Sequence, residues 1–348
     1  MAHRFGFIVH PLTPFQRRVF GVRSLDANLA LGRASQNCGP KAIARLNMGV
    51  ESSPLEGTLV SLPLLPSELL SNQRRGISQV DQGVRLCEEA GCSIVGLGGV
   101  AAMIGGQGKV ISRQTQTPIT SGNHLTAETA FQTTMLALSK SGLKDRYVAM
   151  IGLPSPVGLL LAKMLMHQGI SLQVVSKSPP APMRKLFAEL VAQTSARIDV
   201  VPRIGKVTAK VLVAASSTGA RIPVSTIPSN TLVLDVAAPA DIQLDIHRND
   251  VLVVDGEYLS PPSHMQGDLW QHIYRFITRQ PNCLFACFVE PMLIAAAKRP
   301  ELCGVGRNLD LDKARALGEL ASRYGFLVDG LYRHGRRISQ KEIADCLG

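Results

Sequence analysis

Apolar positions along this chain follow two rhythms, and each predicts an element. Short, nearly unbroken apolar runs such as Phe5-Gly6-Phe7-Ile8-Val9 and Ser93-Ile94-Val95-Gly96-Leu97 predict buried strands. Gly57 to Leu65 predicts another, closed by Pro66. Elsewhere the apolar residues recur at three- and four-residue steps. Leu70, Ile77, Val80, Val84 and Cys87 do so after Ser67 and stop at Gly91, and Phe131, Met135 and Leu138 do so before Gly142. Both stretches predict helices with ordinary caps.

The most legible unit begins at Arg146. A strand to Ile151 runs into Gly152-Leu153-Pro154-Ser155-Pro156-Val157-Gly158, then an amphipathic helix from about Val157 to Gln168, and after Gly169 a second strand, Ser171 to Val175. Strand, glycine turn, helix and strand is the plan of a dinucleotide-binding βαβ unit, in which the pyrophosphate rests on the helix N-terminus. A crossover that binds no nucleotide has the same outline. Gly152 and Gly158 stand where the turn and the helix contact need them, whereas Ser155 and Pro156 occupy the middle, where close backbone approach favours glycine. The second strand ends in Ser176-Lys177-Ser178 with Arg184 behind it, a set that suits the 2′-phosphate of NADPH better than the free ribose of NAD. Ile198 to Val201, Val211 to Ala215, Thr231 to Val236 and Val251 to Val254 predict further strands, and Ser216 opens a turn at the end of one of them.

The fold class expected from these elements is α/β in two domains. An N-terminal α/β substrate domain is expected over residues 1–143 and a Rossmann-like, doubly wound dinucleotide-binding domain over 144–264. A helical segment over 265–330, opening with Trp270, Ile273, Phe276 and Ile277, and a basic tail over 331–348 complete the chain.

Candidate chemistry centres on the stretch from Asn282 to Ala295. Pro291 is tolerated in a first helical turn, which places Cys287 just before a helix N-terminus. Backbone N–H groups there favour a thiolate and stabilise an oxyanion on an attacked carbonyl. A cysteine flanked by Phe285, Ala286 and Phe288 is more often a small buried hydrophobe. His10 ends the first strand, and His124 closes the polar cluster Ile119-Thr120-Ser121-Gly122-Asn123-His124. Either imidazole is a candidate proton donor, although helix capping alone accounts for Ser121 and Asn123.

Composition narrows the picture. With 348 residues there is room for two cores, and aromatics at 5% leave an aliphatic interior. Seven scattered cysteines argue against a disulfide framework, and Cys283 and Cys287 lack a second ligand pair for a metal. No run of eighteen apolar residues and no signal pattern is present, so a cytoplasmic protein without a transmembrane segment is expected. The net charge of +11, dispersed over pairs such as Arg17-Arg18 and Arg74-Arg75 and the cluster around Arg333 and Arg336-Arg337, favours an acidic partner.

The chain also resembles the cyanobacterial long-chain acyl-[acyl-carrier-protein] reductases. The resemblance is carried by Phe5-Gly6 with His10-Pro11-Leu12-Thr13, Leu65-Pro66, Gln73-Arg74-Arg75, Leu97-Gly98-Gly99, Thr120-Ser121-Gly122-Asn123, Asp235 with Pro239, and above all Phe285-Ala286-Cys287-Phe288 with Glu290. It implies an NADPH-dependent oxidoreductase that reduces an acyl thioester to an aldehyde through an acyl-enzyme on Cys287. The implied partners are acyl carrier protein or acyl-CoA and a downstream aldehyde-consuming enzyme, and no nucleic acid. Rival readings are a nucleotide-binding or sensor protein without turnover, a reductase of thioesters formed from aminoacyl-tRNA, and a shikimate-type dehydrogenase with no need of Cys287.

Overall fold

The computed structural model describes residues 3–12, 16, 39–50, 53–143, 146–177, 180–217, 219–237, 239–262 and 283–348. The helix expected from Asp268 through Ile277 lies outside the described residues, as do Thr13, Arg17-Arg18, Cys38, Ser178 and Asn282. The described chain is mixed α/β and divides into two units, Met1–Leu125 with Pro261–Leu327, and Thr126–Ser260 with Val328–Gly348. The division falls earlier than residue 143, and each unit recovers a later piece of chain.

Unit 1 is built on a five-stranded sheet. Its strands are β1 (His3–Val9), β2 (Lys41–Val50), β3 (Ser53–Ser61), β4 (Ile94–Leu97) and β5 (Ile119–Thr120), in the order β2-β3-β1-β4-β5. All neighbours are parallel except β2 and β3. Period-two alternation decides what covers each face. Gly6 meets Cys87 and Val95, so helix α2 (Gln73–Glu89) lies on that side. Phe5 and Phe7 point the other way and pack edge-on against Phe288 at centroid distances of 6.0 and 5.0 Å.

The single helix expected after Ser67 is two. Pro66 starts α1 (Pro66–Ser71) with Leu65 as its N-cap, and the Glu68 carboxylate accepts the Leu65 N–H at 2.7 Å. Asn72 then interrupts the helix, and its side chain accepts the Arg75 N–H at the start of α2. The seven-residue step from Leu70 to Ile77 equals two helical turns and runs on across the break, so apolar periodicity alone does not register it.

Unit 2 holds an eight-stranded sheet. Six parallel strands are β6 (Tyr147–Ile151), β7 (Ser171–Val175), β8 (Ile198–Val201), β9 (Val211–Ala214), β10 (Thr231–Asp235) and β11 (Val251–Asp255), and two antiparallel ones are β12 (Tyr332–Arg333) and β13 (Arg336–Arg337). The spatial order is β8-β7-β6-β9-β10-β11-β12-β13. Counted from the first strand of the unit, the parallel part therefore reads 3-2-1-4-5-6, the doubly wound order. Val148, Met150, Leu172, Val174, Val211, Val213, Leu232 and Leu234 are buried in one core with Leu161, Leu165 and Met166 of helix α4 (Pro156–His167). Helix α3 (Asn123–Ser141) precedes β6 in the chain and contributes Ala130 and Ala137 to that core.

The basic tail is no appendage. Leu331 and Ile338 flank the β12–β13 hairpin, and Ile343 and Cys346 lie on the last helix, Gln340–Leu347; all four are buried in the same core. Its basic character hides a regular apolar spacing.

Candidate functional site

Unit 2 brings the expected dinucleotide residues to one edge of its sheet. In the order 3-2-1-4, the sheet reverses direction between β6 and β9, and the carboxyl ends of those strands flank a crevice. Gly152 ends β6 with φ +97°, a conformation that side-chain-bearing residues rarely adopt. A Cβ there would lie 2.5 Å from the carbonyl carbon of Ala215, so the turns after β6 and β9 are packed backbone to backbone. Ser155 is the N-cap of α4: its hydroxyl accepts the Gly158 N–H at 3.1 Å and donates to the Ala215 carbonyl at 2.5 Å. Ser155 thus bridges the two turns. Gly158 is glycine because a Cβ would come within 2.7 Å of that hydroxyl. Ser176 and Lys177 follow β7, the neighbour of β6, at the same edge, with Lys177 exposed.

The donor set departs from an ordinary pyrophosphate cradle. Pro154 and Pro156 have no N–H, the Ser155 N–H is bonded to Gly152 O at 2.9 Å, and the Gly158 N–H is held by the cap. The course of the backbone fits a dinucleotide, with the Ser155 and Gly158 N–H groups already engaged. Ser216 is also engaged, its N–H (2.8 Å) and hydroxyl both donating to the Asp241 carboxylate, which takes the Ala220 N–H as well. Asp241 is in turn held by Asp235, whose carboxylate accepts the N–H groups of Ala237, Asp241 and Ile242. Burial pushes the Asp235 carboxyl up to about 6 against those hydrogen bonds.

Unit 1 places Cys287 inside the first turn of α5 (Ala286–Ala297), not ahead of it. The helix begins five residues before Pro291, which is an internal position. Pro291 is accommodated because Gly96 of β4 leaves room for its ring; a Cβ on Gly96 would lie 2.6 Å from Pro291 Cγ. The proline cannot donate to the carbonyl one turn back, that of Cys287 itself. Cys287 is half-buried and belongs to no disulfide, as do none of the six described cysteines. Gly122, with φ +75°, packs directly on it: a Cβ there would lie 2.6 Å from Cys287 Cα.

Glu290, one turn beyond Cys287, is the residue that the sequence reading passed over as a site component. It is fully buried, accepts the Leu125 N–H at 2.7 Å and the Thr120 hydroxyl, and faces the N–H groups of Gly122 and His124. Burial foremost raises its carboxyl to about 7, opposed by those bonds. The available signal was a lone carboxylate in an otherwise apolar helix, a position that demands buried donors.

The two histidines part company. His10 Nε2 accepts the Val100 N–H at 3.0 Å, which leaves the proton on Nδ1, 3.3 Å from the Pro11 carbonyl. The ring thus ties the turn after β4, through Val100, to the chain just after β1, through Pro11, and both of its nitrogens are engaged by backbone. His124 Nε2 accepts the Asp310 N–H at 3.0 Å, so its proton also sits on Nδ1, but that buried nitrogen has no hydrogen-bond partner among the described residues. Burial lowers both imidazoles to about 4, and they are neutral near pH 7. Among the described residues no group of acidic, histidine or cysteine side chains is arranged to hold a metal ion, and no helix is long and apolar enough to cross a membrane.

No family model matches the chain. A curated relative, the aminotransferase PigE of a Serratia species, is 28% identical over 98% of this chain, and the chain spans 41% of that protein's length. Similar solved structures include quinate dehydrogenase from Corynebacterium glutamicum in complex with NAD, 15% identical, covering 68% of this chain and 81% of that one at a TM-score of 0.35. Another is L-tryptophan dehydrogenase from Nostoc punctiforme, 10% identical, covering 93% and 88% at a TM-score of 0.33. The first of these findings corrects the resemblance drawn from the Cys287 motif: the curated protein matched along nearly the whole chain is named an aminotransferase, not an acyl-[acyl-carrier-protein] reductase.

Proposed function

We propose that the protein is an NAD(P)-dependent oxidoreductase acting on a small carbonyl or alcohol substrate, in the manner of a two-domain dehydrogenase. The observation that carries this reading is the 3-2-1-4-5-6 strand order of unit 2, with the Gly152 and Ser216 turns on either side of its reversal point. Dinucleotides lie at such reversals. Gly152, Ser155, Val157 and Gly158 would hold the pyrophosphate and Ser176 and Lys177 the adenosine ribose, where the Lys177 ammonium favours a 2′-phosphate and hence NADPH. A bound nicotinamide supplies hydride-transfer chemistry.

The chain's own contribution is binding, orientation and hydrogen bonding. In unit 1 the neutral His124 offers its Nδ1–H to a substrate oxygen, and Glu290 fixes the backbone on either side of Gly122 against Cys287. His10 is left with a structural task.

A second reading is favoured by the place of Cys287 in the first turn of α5. Here its sulfur attacks the carbonyl of an acyl thioester carried by acyl carrier protein or CoA and expels the carrier thiol. The acyl-cysteine is then reduced to an aldehyde, which a partner enzyme would consume. The basic surface of the chain suits an acidic carrier.

The test is oxidation of reduced nicotinamide in the presence of aldehydes, ketones and acyl thioesters, with and without prior iodoacetamide. Turnover of a carbonyl compound that survives alkylation supports the dehydrogenase. Turnover of thioesters that is lost on alkylation and in Cys287→Ala supports the second reading, and absence of oxidation with every class contradicts both.

A further inference from the structure

We infer that Cys87 and Cys92 are an oxidation site, at which a hydroperoxide joins the two thiols in an intramolecular disulfide. Neither residue takes part in the chemistry proposed above, so the inference stands apart from it. Both are free thiols in this structure.

The end of α2 brings them together. Gly91, with φ +75°, turns the chain back after the helix; its N–H donates to Glu88 O at 2.8 Å, and the Cys92 N–H donates to Cys87 O at 3.0 Å. This pair of bonds is the Schellman arrangement, in which the side chains at its two ends, here Cys87 and Cys92, meet on the apolar side. The Cys92 bond limits the two Cα atoms to at most about 7 Å apart, and a disulfide spans about 4.4–6.8 Å.

The sheet beneath gives the same placement. Cys87 lies on Gly6, where a Cβ would be 2.5 Å from the Cys87 Sγ. Thr58, the register partner of Gly6 on β3, is bonded to the Cys92 thiol. The two sulfurs therefore stand over one pair of neighbouring residues, on strands about 4.8 Å apart. Both belong to the apolar cluster on that face of the sheet.

The two thiols are prepared for different parts. A hydrogen bond from Cys87 foremost, with the Thr58 hydroxyl and the Arg4 guanidinium, holds Cys92 below the ordinary thiol range against its burial. Arg4 is fixed there by its Nη1, which donates to Ala90 O at 3.5 Å. Cys92 is also the more accessible thiol, 6% exposed against 0% for Cys87. Cys87 keeps its proton, because its bond to Cys92 and burial both raise it. The Cys92 thiolate attacks one peroxide oxygen, the O–O bond breaks, and the departing hydroxide is protonated to water. The Cys87 sulfur then attacks the sulfenic sulfur, gives up its proton and expels the second oxygen as water. Two sulfurs lose two electrons and the peroxide gains them.

The experiment is a thiol map of the full chain, reduced, treated with hydrogen peroxide at neutral pH, blocked with N-ethylmaleimide and digested with trypsin. No Lys or Arg lies between Leu86 and Lys109, so both cysteines fall in one peptide. The expected result is a loss of about 2 Da from that peptide, with no maleimide taken up and both thiols restored by dithiothreitol. In Cys87→Ala the expected species is the Cys92 sulfenic acid, trapped by dimedone. Two maleimides on this peptide after peroxide treatment of the native protein, oxidation of Cys92 past the sulfenic acid without a disulfide, or a bond from either residue to another cysteine overturns the inference.

Discussion

The Glu290 carboxylate accepts the backbone N–H of Leu125 at 2.7 Å, and through this bond the helix that carries Cys287 is tied to the segment that begins at Gly122. Replacing Glu290 with alanine strips buried N–H groups of their acceptor and opens a cavity in an apolar helix face. Urea unfolding is expected to show a loss of about 3–5 kcal/mol, since several buried donors go unsatisfied together.

The same carboxyl makes stability depend on pH in a fixed direction. Its proton is held to about 7 in the folded chain against 4.5 for an ordinary glutamate. Between those values the folded state retains a proton that the unfolded chain has lost. This contribution is complete below pH 4.5 and disappears as pH rises through 7. Unfolding midpoints recorded from pH 5 to 8 should therefore fall more steeply for wild type than for Glu290→Gln.

Gly122→Ala tests the contact with Cys287. The new Cβ enters a backbone position with φ +75° and lies 2.6 Å from Cys287 Cα, so neither partner has room to yield without moving α5. A destabilisation of about 2–5 kcal/mol is expected from left-handed strain and overpacking together. Alkylation of Cys287, followed by mass spectrometry of the native protein, should change in rate.

Ser155→Ala removes the cap of α4 and the bridge to Ala215 at once. The expected cost is about 1–2 kcal/mol, visible as a lower Tm. Ser155→Gly costs less as a cap and releases the Gly158 N–H toward a ligand, so it is expected to bind reduced nicotinamide more tightly than wild type does.

How much of this was legible in the sequence varies with the kind of signal. The doubly wound sheet was, because Val148 to Ile151, Leu172 to Val174 and Leu232 to Leu234 are buried on both faces and read as apolar runs bounded by glycine turns. The start of α5 was not. Proline is common in a first turn, and the room that Gly96 leaves for Pro291 comes from a strand far away in sequence. The Glu290 network was hidden for the same reason, since its donors lie some 165 residues earlier. His10 and His124 looked alike as polar residues next to strands or helices. Only the partners of their ring nitrogens separate a residue serving the backbone from one with a nitrogen to offer.

The central claim concerns unit 2, and equilibrium binding tests it most directly: fluorescence titration of NADPH and NADH against wild type and Lys177→Glu. The account predicts saturable binding of both to wild type, tighter for NADPH, with the preference lost when the Lys177 charge is reversed. No saturable signal with either nucleotide at millimolar concentration would contradict it, whatever the unit's strand order.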